Sequence, residues 1–272
     1  MSNTLNVAAI SIDTHWGAPA DNLAILGRCL DILDPETDLV VVPELFSTGF
    51  ASDPDALAEL AESNGGGTMH TVMQLARRYN TSIAGSFIAR SGNHIYNRGF
   101  FVEPSGEETF YDKRHLFNLS PESRLFTAGN SPMPVIRFRG WNIAMIICYD
   151  LRFPVWSRNR GNGYDMLVVP ANWPNARAYA WEHLLIARAI ENQAYVVGCN
   201  RSGSDDHGTY DQATYIIDPM GQPVGQRRAP RSAPAPLTVA TAQMQQVEDA
   251  RRRLPVAAAA DDFTLLCPSE KE

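Results

Sequence analysis

The chain has 272 residues, 44% of them hydrophobic and 19% charged, and 30 Asp and Glu against 23 Lys and Arg give a formal net charge of -7. This is the composition of a soluble globular protein with a substantial core. It excludes a nucleic-acid partner, whose phosphates demand clustered Lys and Arg, and a membrane span, because no apolar run approaches ~18 residues.

In chain order, "LNVAAISI" (5–12) and "DLVVVPEL" (38–45) are short β-branched runs, and between them Asn22 to Leu33 carries apolar residues at helical spacing. "TMHTVMQLARRYN" (68–80) predicts a second amphipathic helix, leading into the strand "TSIAGSFIAR" (81–90). "HIYNRGFFVEP" (94–104) and "ETFYDK" (108–113) predict two strands around the turn signal Pro104-Ser105-Gly106. "MPVIRFRGWNIAMIIC" predicts a hairpin turning at Gly140, and "DMLVVPAN" (165–172) a buried strand. "AYAWEHLLIARAIENQA" (178–194) predicts a helix with Trp181, Leu184, Leu185, Ala189 and Ile190 on one face. Strands "YVVGCNRSG" and "ATYIIDP" and a turn at Met220-Gly221 follow. Helices interleaved with apolar strands mean sheets covered by helices, an α/β fold. No Gly/Ser-rich linker divides the halves, so residues 1–272 are expected to form a single domain. Last, "TAQMQQVEDARRRLP" (241–255) predicts a helix stopped by Pro255, whose run Arg251-Arg252-Arg253 reads as a solvated face. The apolar "VAAAADDF" lies beyond the last strand, and the tail 241–272 is expected either to pack on its own body or to cross to a partner subunit.

The opening "MSNTLNVAAISID" lacks the positive region and cleavable apolar core of a secretory signal. Cys29, Cys148, Cys199 and Cys267 are scattered through a chain too long to need staples, so a cytoplasmic protein with reduced thiols is expected. The histidines show no ligand spacing and no C-x-x-C pair exists, so no metal site is expected.

Three apolar runs end in a reactive side chain: "DLVVVPELF" at Glu44, "ETFYDKRHLF" at Lys113 and "IAMIICYD" at Cys148. Side chains at the strand tips of an α/β sheet reach solvent from a rigid base. Each alone has a plainer reading, since Glu or Lys after a strand is ordinarily a turn or edge charge and Cys a small buried hydrophobe. Together they form a complete set for nucleophilic hydrolysis. A thiol needs a base or a nearby cation to act as a nucleophile. Glu44 supplies the base and Lys113 the cation. Lys113 and the backbone N–H of Tyr149, the residue after the thiol, are donors for the oxyanion of a tetrahedral intermediate. His115 offers a rival Cys-His arrangement, but that needs an orienting Asn or Asp and leaves Glu44 and Lys113 without roles. Cys29 and Cys199 have no such neighbours and read as packed residues.

"VVPELF", "YDKRHLF" and "ICYDLRFP" resemble, in order, the three signatures of the nitrilase superfamily of carbon–nitrogen hydrolases, with 69 residues from Glu44 to Lys113 and 35 from Lys113 to Cys148. "NWP" (172–174) and "RAIENQAYVVGCNRSG" (188–203) resemble its later motifs, so the resemblance spans nearly the whole chain. It implies a four-layer α-β-β-α sandwich, a Glu44-Lys113-Cys148 triad working through a thioester without metal or organic cofactor, and a homodimer. It also implies a second glutamate after the lysine, positioning substrate and lysine, for which Glu122 in "NLSPESRLF" is the match. "KRHLF", "CYDLRFP" and "NRSGSDDHGTYDQATYIIDPMG" are most similar to the ω-amidase branch. That branch implies a small-molecule substrate, the terminal amide of an α-keto acid such as α-ketoglutaramate or α-ketosuccinamate. Another amidase, an N-carbamoyl hydrolase, a nitrilase and a non-catalytic binding protein on this fold stand as alternatives. A keto-dicarboxylate amide calls for a positively lined far end of the pocket, for which Arg152, Arg177 and Arg201 are candidates. Arg152 and Glu182 read equally as a charged pair bracing the nucleophile turn, and Trp173 as a wall of the pocket.

Overall fold

Strand β1 (Thr4–Ile10) puts Leu5, Val7 and Ala9 on one face and Ala8 and Ile10 on the other, all buried, because successive side chains of a strand point to opposite sides. A strand apolar on both faces must be covered on both. The computed structural model, which describes residues 3–50, 53–211, 213–228 and 233–265, shows how this is done.

After β1 come α1 (Pro19–Leu30), β2 (Leu39–Val41), α2 (Pro54–Leu60) and α3 (Gly67–Tyr79), then β3 (Ser82–Ser91), β4 (His94–Val102) and β5 (Glu108–Asp112). A single turn, α4 (Glu122–Leu125), precedes the hairpin of β6 (Val135–Phe138) and β7 (Trp141–Met145). β8 (Met166–Ala171), α5 (Ala178–Asn192) and β9 (Tyr195–Asn200) follow, then a small hairpin of β10 (Ser202–Asp205) and β11 (Gly208–Asp211). β12 (Tyr215–Ile217), β13 (Gln226–Arg228), β14 (Leu237–Gln243) and α6 (Met244–Arg253) complete the regular elements.

Among the described residues the strands form a seven-stranded sheet, β13-β14-β1-β2-β3-β4-β5, and a five-stranded sheet, β12-β9-β8-β7-β6, while β10-β11 pair only with each other. Both large sheets have a parallel centre: β1, β2 and β3 in the first, β7, β8 and β9 in the second. Leu5, Val7 and Val41 meet Trp141, Ile143 and Val168 between the sheets. Helices α1 and α3 cover the outer face of the first sheet through Leu26 and Val72, and α5 covers that of the second through Trp181 and Leu185. The layers are therefore α-β-β-α. Each large apolar side chain so buried contributes about 1.5–3 kcal/mol, and this central block is the rigid base from which the site loops emerge.

Three expectations are corrected. Residues 241–243 end a strand rather than begin a helix: β14 pairs with β1 along its length, Thr4 with Gln243 through Ile10 with Leu237. Arg251 is not solvated like its neighbours, because its guanidinium pairs with Asp165 at 2.8 Å and donates to the Tyr164 carbonyl at 2.6 Å. Ile190 does not share the buried face of α5; it is 51% exposed, while Arg188 is buried beside Ala189. Nine positions beyond Trp181, at about 100° per residue, Ile190 falls on the opposite side of the helix. The described part of the tail lies on its own chain, with Arg160 paired to Asp262 and stacked 5.2 Å over the Phe263 ring. Cys267 lies outside the described residues.

Candidate active site

Lys113 is the first residue beyond β5, and its side chain is 2% exposed. Burying an ammonium is tolerable only if it is paired and hydrogen-bonded. It donates to Oε1 of Glu44, from the loop after β2, and to Oε1 of Glu122, the first residue of α4, at 2.7 Å each. Both carboxylates are anchored further. Asn97, in mid-β4, donates from Nδ2 to Glu44 Oε1 at 2.7 Å and to Glu122 Oε1 at 3.4 Å. The second oxygen of Glu44 accepts the Asn172 N–H at 2.9 Å, and that of Glu122 the Phe117 N–H at 2.7 Å. The Glu44 carboxylate also acts on the Cys148 thiol and favours its protonated form.

Cys148 opens a 3-10 turn, Cys148–Arg152, just past β7, with φ at 44°. That is left-handed backbone, costing a non-glycine residue roughly 1–2 kcal/mol. The turn is held by Asp150, wholly buried, which accepts the Ile147 N–H (3.1 Å), the Tyr111 hydroxyl (2.8 Å) and the His115 N–H (2.8 Å). His115 Nδ1 also lies 2.8 Å from Asp150, and its ring stacks on Phe153 at 3.7 Å. The imidazole braces the nucleophile turn from outside, so the Cys-His arrangement is not assembled. The Tyr149 N–H has no backbone acceptor among the described residues, as expected in the first turn of a helix, and is free to donate.

Charge follows burial here. Burial pushes the Cys148 thiol well above its ordinary value and the Glu44 charge adds to this, so the resting thiol is neutral. Burial alone would drive Lys113 down, but Glu122 and Glu44 outweigh it and hold the ammonium well above its ordinary value. Glu122 is raised by burial, against the pull of Lys113. Both its oxygens accept from donors, the geometry of a carboxylate.

These groups face a cavity of about 220 Å³, small beside the roughly 300–1,000 Å³ of a drug-sized site. Trp173 walls it, as expected, 4% exposed. Arg152 and Arg177 line it too, their guanidinium groups 4.9 Å over the Trp173 ring and 5.0 Å over the Phe117 ring. Neither makes an ion pair among the described residues. The Arg152–Glu182 brace, one of the two readings of those residues, is thus not formed, and the Glu182 charge acts instead on the Tyr215 hydroxyl. Arg201 is corrected as a substrate ligand: it is 1% exposed, lies outside the lining, and pairs with Asp205 at 2.6 Å and Asp13 at 3.3 Å. Sequence reasoning missed Asn97, whose signal was a polar residue inside an apolar strand. It also missed Phe50, His207 and Tyr210 as cavity residues, the last two lying within the stretch "NRSGSDDHGTYDQATYIIDPMG" but not singled out in it.

Sandwich, contacts and cavity define the class: an α-β-β-α hydrolase fold with a thiol, a carboxylate and an ammonium in one small pocket. The chain belongs to the carbon-nitrogen hydrolase family, which it matches over residues 6–252. It is 40% identical over 229 residues to the omega-amidase YafV of Escherichia coli (strain K12), covering 84% of this chain and 86% of the relative. It is 33% identical over 219 residues to the 2-oxoglutaramate amidase of Bacillus subtilis (strain 168), covering 79% and 83%. Among solved structures it is similar to XC1258 from Xanthomonas campestris, a CN-hydrolase superfamily protein with an arsenic adduct in its active site. That match has a TM-score of 0.89 at 35% identity and covers 97% of this chain and all of the other.

Proposed function

We propose that the protein is an amidohydrolase that releases ammonia from the terminal amide of small α-keto acid amides, α-ketoglutaramate and α-ketosuccinamate, through a thioester on Cys148. Glu44 takes the thiol proton as sulfur attacks the amide carbon. Lys113 and the Tyr149 N–H hold the oxyanion, where one donor is worth ~2.7–4 kcal/mol of barrier. The C–N bond breaks as Glu44 returns the proton to nitrogen, and ammonia leaves. Glu44 then deprotonates a water that attacks the thioester; the intermediate collapses to the acid and Cys148 regains its proton. Glu122 keeps Lys113 aimed between the two carboxylates throughout.

The observation that carries the substrate reading is the half-buried Arg152 guanidinium in the lining, which has no carboxylate partner among the described residues; Arg177 beside it is exposed. A buried or half-buried arginine without a carboxylate of its own is a site for one supplied by the ligand. Arg152, the less exposed of the two, is assigned to the substrate carboxylate. The ω-amidase and 2-oxoglutaramate amidase relatives support the same substrate class. A free amino acid amide carries an ammonium beside that carboxylate, and an arginine-lined end opposes it. Purified protein assayed for ammonia release is therefore expected to give a higher kcat/KM with α-ketoglutaramate or α-ketosuccinamate than with glutamine or asparagine, and negligible acid from nitriles. Arg152→Gln should raise KM for the keto amides roughly 10–150-fold with little change in kcat, the loss of one charge-assisted contact. Equal turnover of glutamine and its keto analogue would defeat this reading, and rapid nitrile hydrolysis would move the protein to another branch.

Dimerisation is part of the same proposal. Tyr179, His183 and Ile190 lie along the outer stripe of α5, all exposed, with Met220 59% exposed on the turn beside Ile190. An apolar stripe on a helix otherwise packed into its domain fits a self-complementary contact. Sedimentation at micromolar concentration is expected to give about 60 kDa, twice the 30.0 kDa chain, and a clean monomer would count against it. A cytoplasmic location is proposed with it, supported by the free thiols of Cys29, Cys148 and Cys199.

A further inference from the structure

The hairpin β10-β11 belongs to neither large sheet, yet it carries Tyr210 and His207 into the cavity lining. An isolated two-stranded hairpin is marginal in water, so something outside its own ladder must fix it. Arg201, the residue before β10, is wholly enclosed and spends four of its five N–H donors on protein. Nη1 donates to Asp205 Oδ2 at 2.6 Å, Nη2 to Asp13 Oδ1 at 3.3 Å and the Thr14 carbonyl at 3.1 Å, and Nε to the Ser202 carbonyl at 3.2 Å. Its Cζ lies 4.7 Å from the Tyr210 ring. Asp205 passes the constraint on, accepting the His207 N–H at 2.8 Å and the Tyr210 hydroxyl at 3.2 Å. One guanidinium thus ties the segment after β1 to the hairpin and to the aromatic ring that faces substrate.

Two further contacts leave the hairpin a single seat. At Gly203, φ 83°, a Cβ would come within 1.9 Å of Asp13 Oδ1, so the hairpin's first strand lies directly on the carboxylate that Arg201 holds. On the other flank Asn175 accepts the Asp211 N–H at 2.7 Å and donates to Thr209 at 3.2 Å, joining the hairpin to the loop that carries Trp173 and Arg177.

We propose that Arg201 is a positioning residue that seats the β10-β11 hairpin as a fixed wall of the cavity, and so governs substrate affinity without touching substrate. This rests on the cavity being where the amide binds. Because Lys113, Glu44 and Cys148 are anchored by other elements, loosening the wall acts on binding rather than on chemistry.

Steady-state kinetics should use whichever amide the wild-type enzyme turns over best, which separates this proposal from the substrate assignment. Arg201→Lys keeps the charge but loses the planar fork, and is expected to raise KM about tenfold; Arg201→Gln should raise it further, roughly 30-fold, with kcat within about threefold in both. Tyr210→Phe removes only the hydroxyl link to Asp205 and should raise KM about threefold. Iodoacetamide labelling of Cys148, read by mass spectrometry, should be as complete in each variant as in wild type. A purely structural role would instead lower the labelled fraction and apparent kcat at constant KM. An unchanged KM in Arg201→Lys and Arg201→Gln would overturn the proposal; Asp205→Asn, which weakens the Arg201 link from outside the lining and should raise KM about threefold, decides it in the same way if the Arg201 variants do not fold.

Discussion

Cys148→Ala is expected to abolish ammonia release, a fall on the order of 10⁴-fold or more, in a protein that stays folded. Thermodynamics makes this variant informative beyond its inactivity. The wild-type thiol sits at φ 44° and is held neutral by burial next to Glu44. Alanine keeps the left-handed backbone and removes a sulfur that faces the cavity, so it leaves little unfilled volume. Cys148→Gly should be equally inactive yet about 1 kcal/mol more stable than Cys148→Ala, since glycine alone accepts that φ without strain. Urea unfolding of the two variants measures the difference. A Cys148→Ala enzyme retaining a tenth of wild-type activity would send the search for the nucleophile elsewhere. If Cys148→Gly proved the less stable of the two, the turn would be unstrained and held by Asp150 alone.

How far the site was legible in the sequence depended on what each residue's signal was made of. Glu44, Lys113 and Cys148 could be found because an apolar run that stops at a reactive side chain is a local pattern, readable in one dimension. Asn97 could not. A single amide inside "HIYNRGFFV" says nothing of facing, and the carboxylates it joins lie 53 and 25 residues away. Arginines posed the same difficulty in reverse. Arg152, Arg177 and Arg201 are alike in sequence, and only the fold shows that Arg201 meets Asp13, 188 positions distant, while the other two meet aromatic rings.

The fold was legible where a short apolar run was continuous, as in β8, whose Met166 and Val168 face the other sheet while Leu167 and Val169 face the helices. β14 escaped because "LTVATAQ" alternates small with polar residues, a weak signal for a strand whose place is fixed by seven pairings to β1. Ile190 shows a related failure: apolar content marks a face only after the angular positions are counted. That face of α5 is the one left exposed.

Lys113→Ala is expected to lose rate and stability together, with the stability loss shrinking as pH falls. The rate is expected to go because the role proposed for the ammonium is that of an oxyanion donor, worth ~2.7–4 kcal/mol of barrier. Stability goes for a different reason. Glu44 and Glu122 both bond the same Nζ at 2.7 Å, and without it two buried carboxylates face each other. Breaking a buried pair by removing one partner costs roughly 3–5 kcal/mol. Glu122 is already raised by burial and by Glu44, and Lys113 is what pulls it back. Removing the lysine lifts the folded-state value further above that of the unfolded chain, about 4.3. A carboxyl raised on folding contributes stability below the unfolded value and loses it as pH rises through the folded one. The gap between wild type and variant should therefore be wide at pH 8 and narrow at pH 5, read by urea unfolding at both. Glu122→Gln added to Lys113→Ala removes one of the two opposed charges while keeping an oxygen for the Phe117 N–H. It should recover much of the stability at pH 8 and none of the activity. A Lys113→Ala protein as stable as wild type at pH 8, or a double variant no better than the single one, would show that the ammonium is not what holds the two glutamates together.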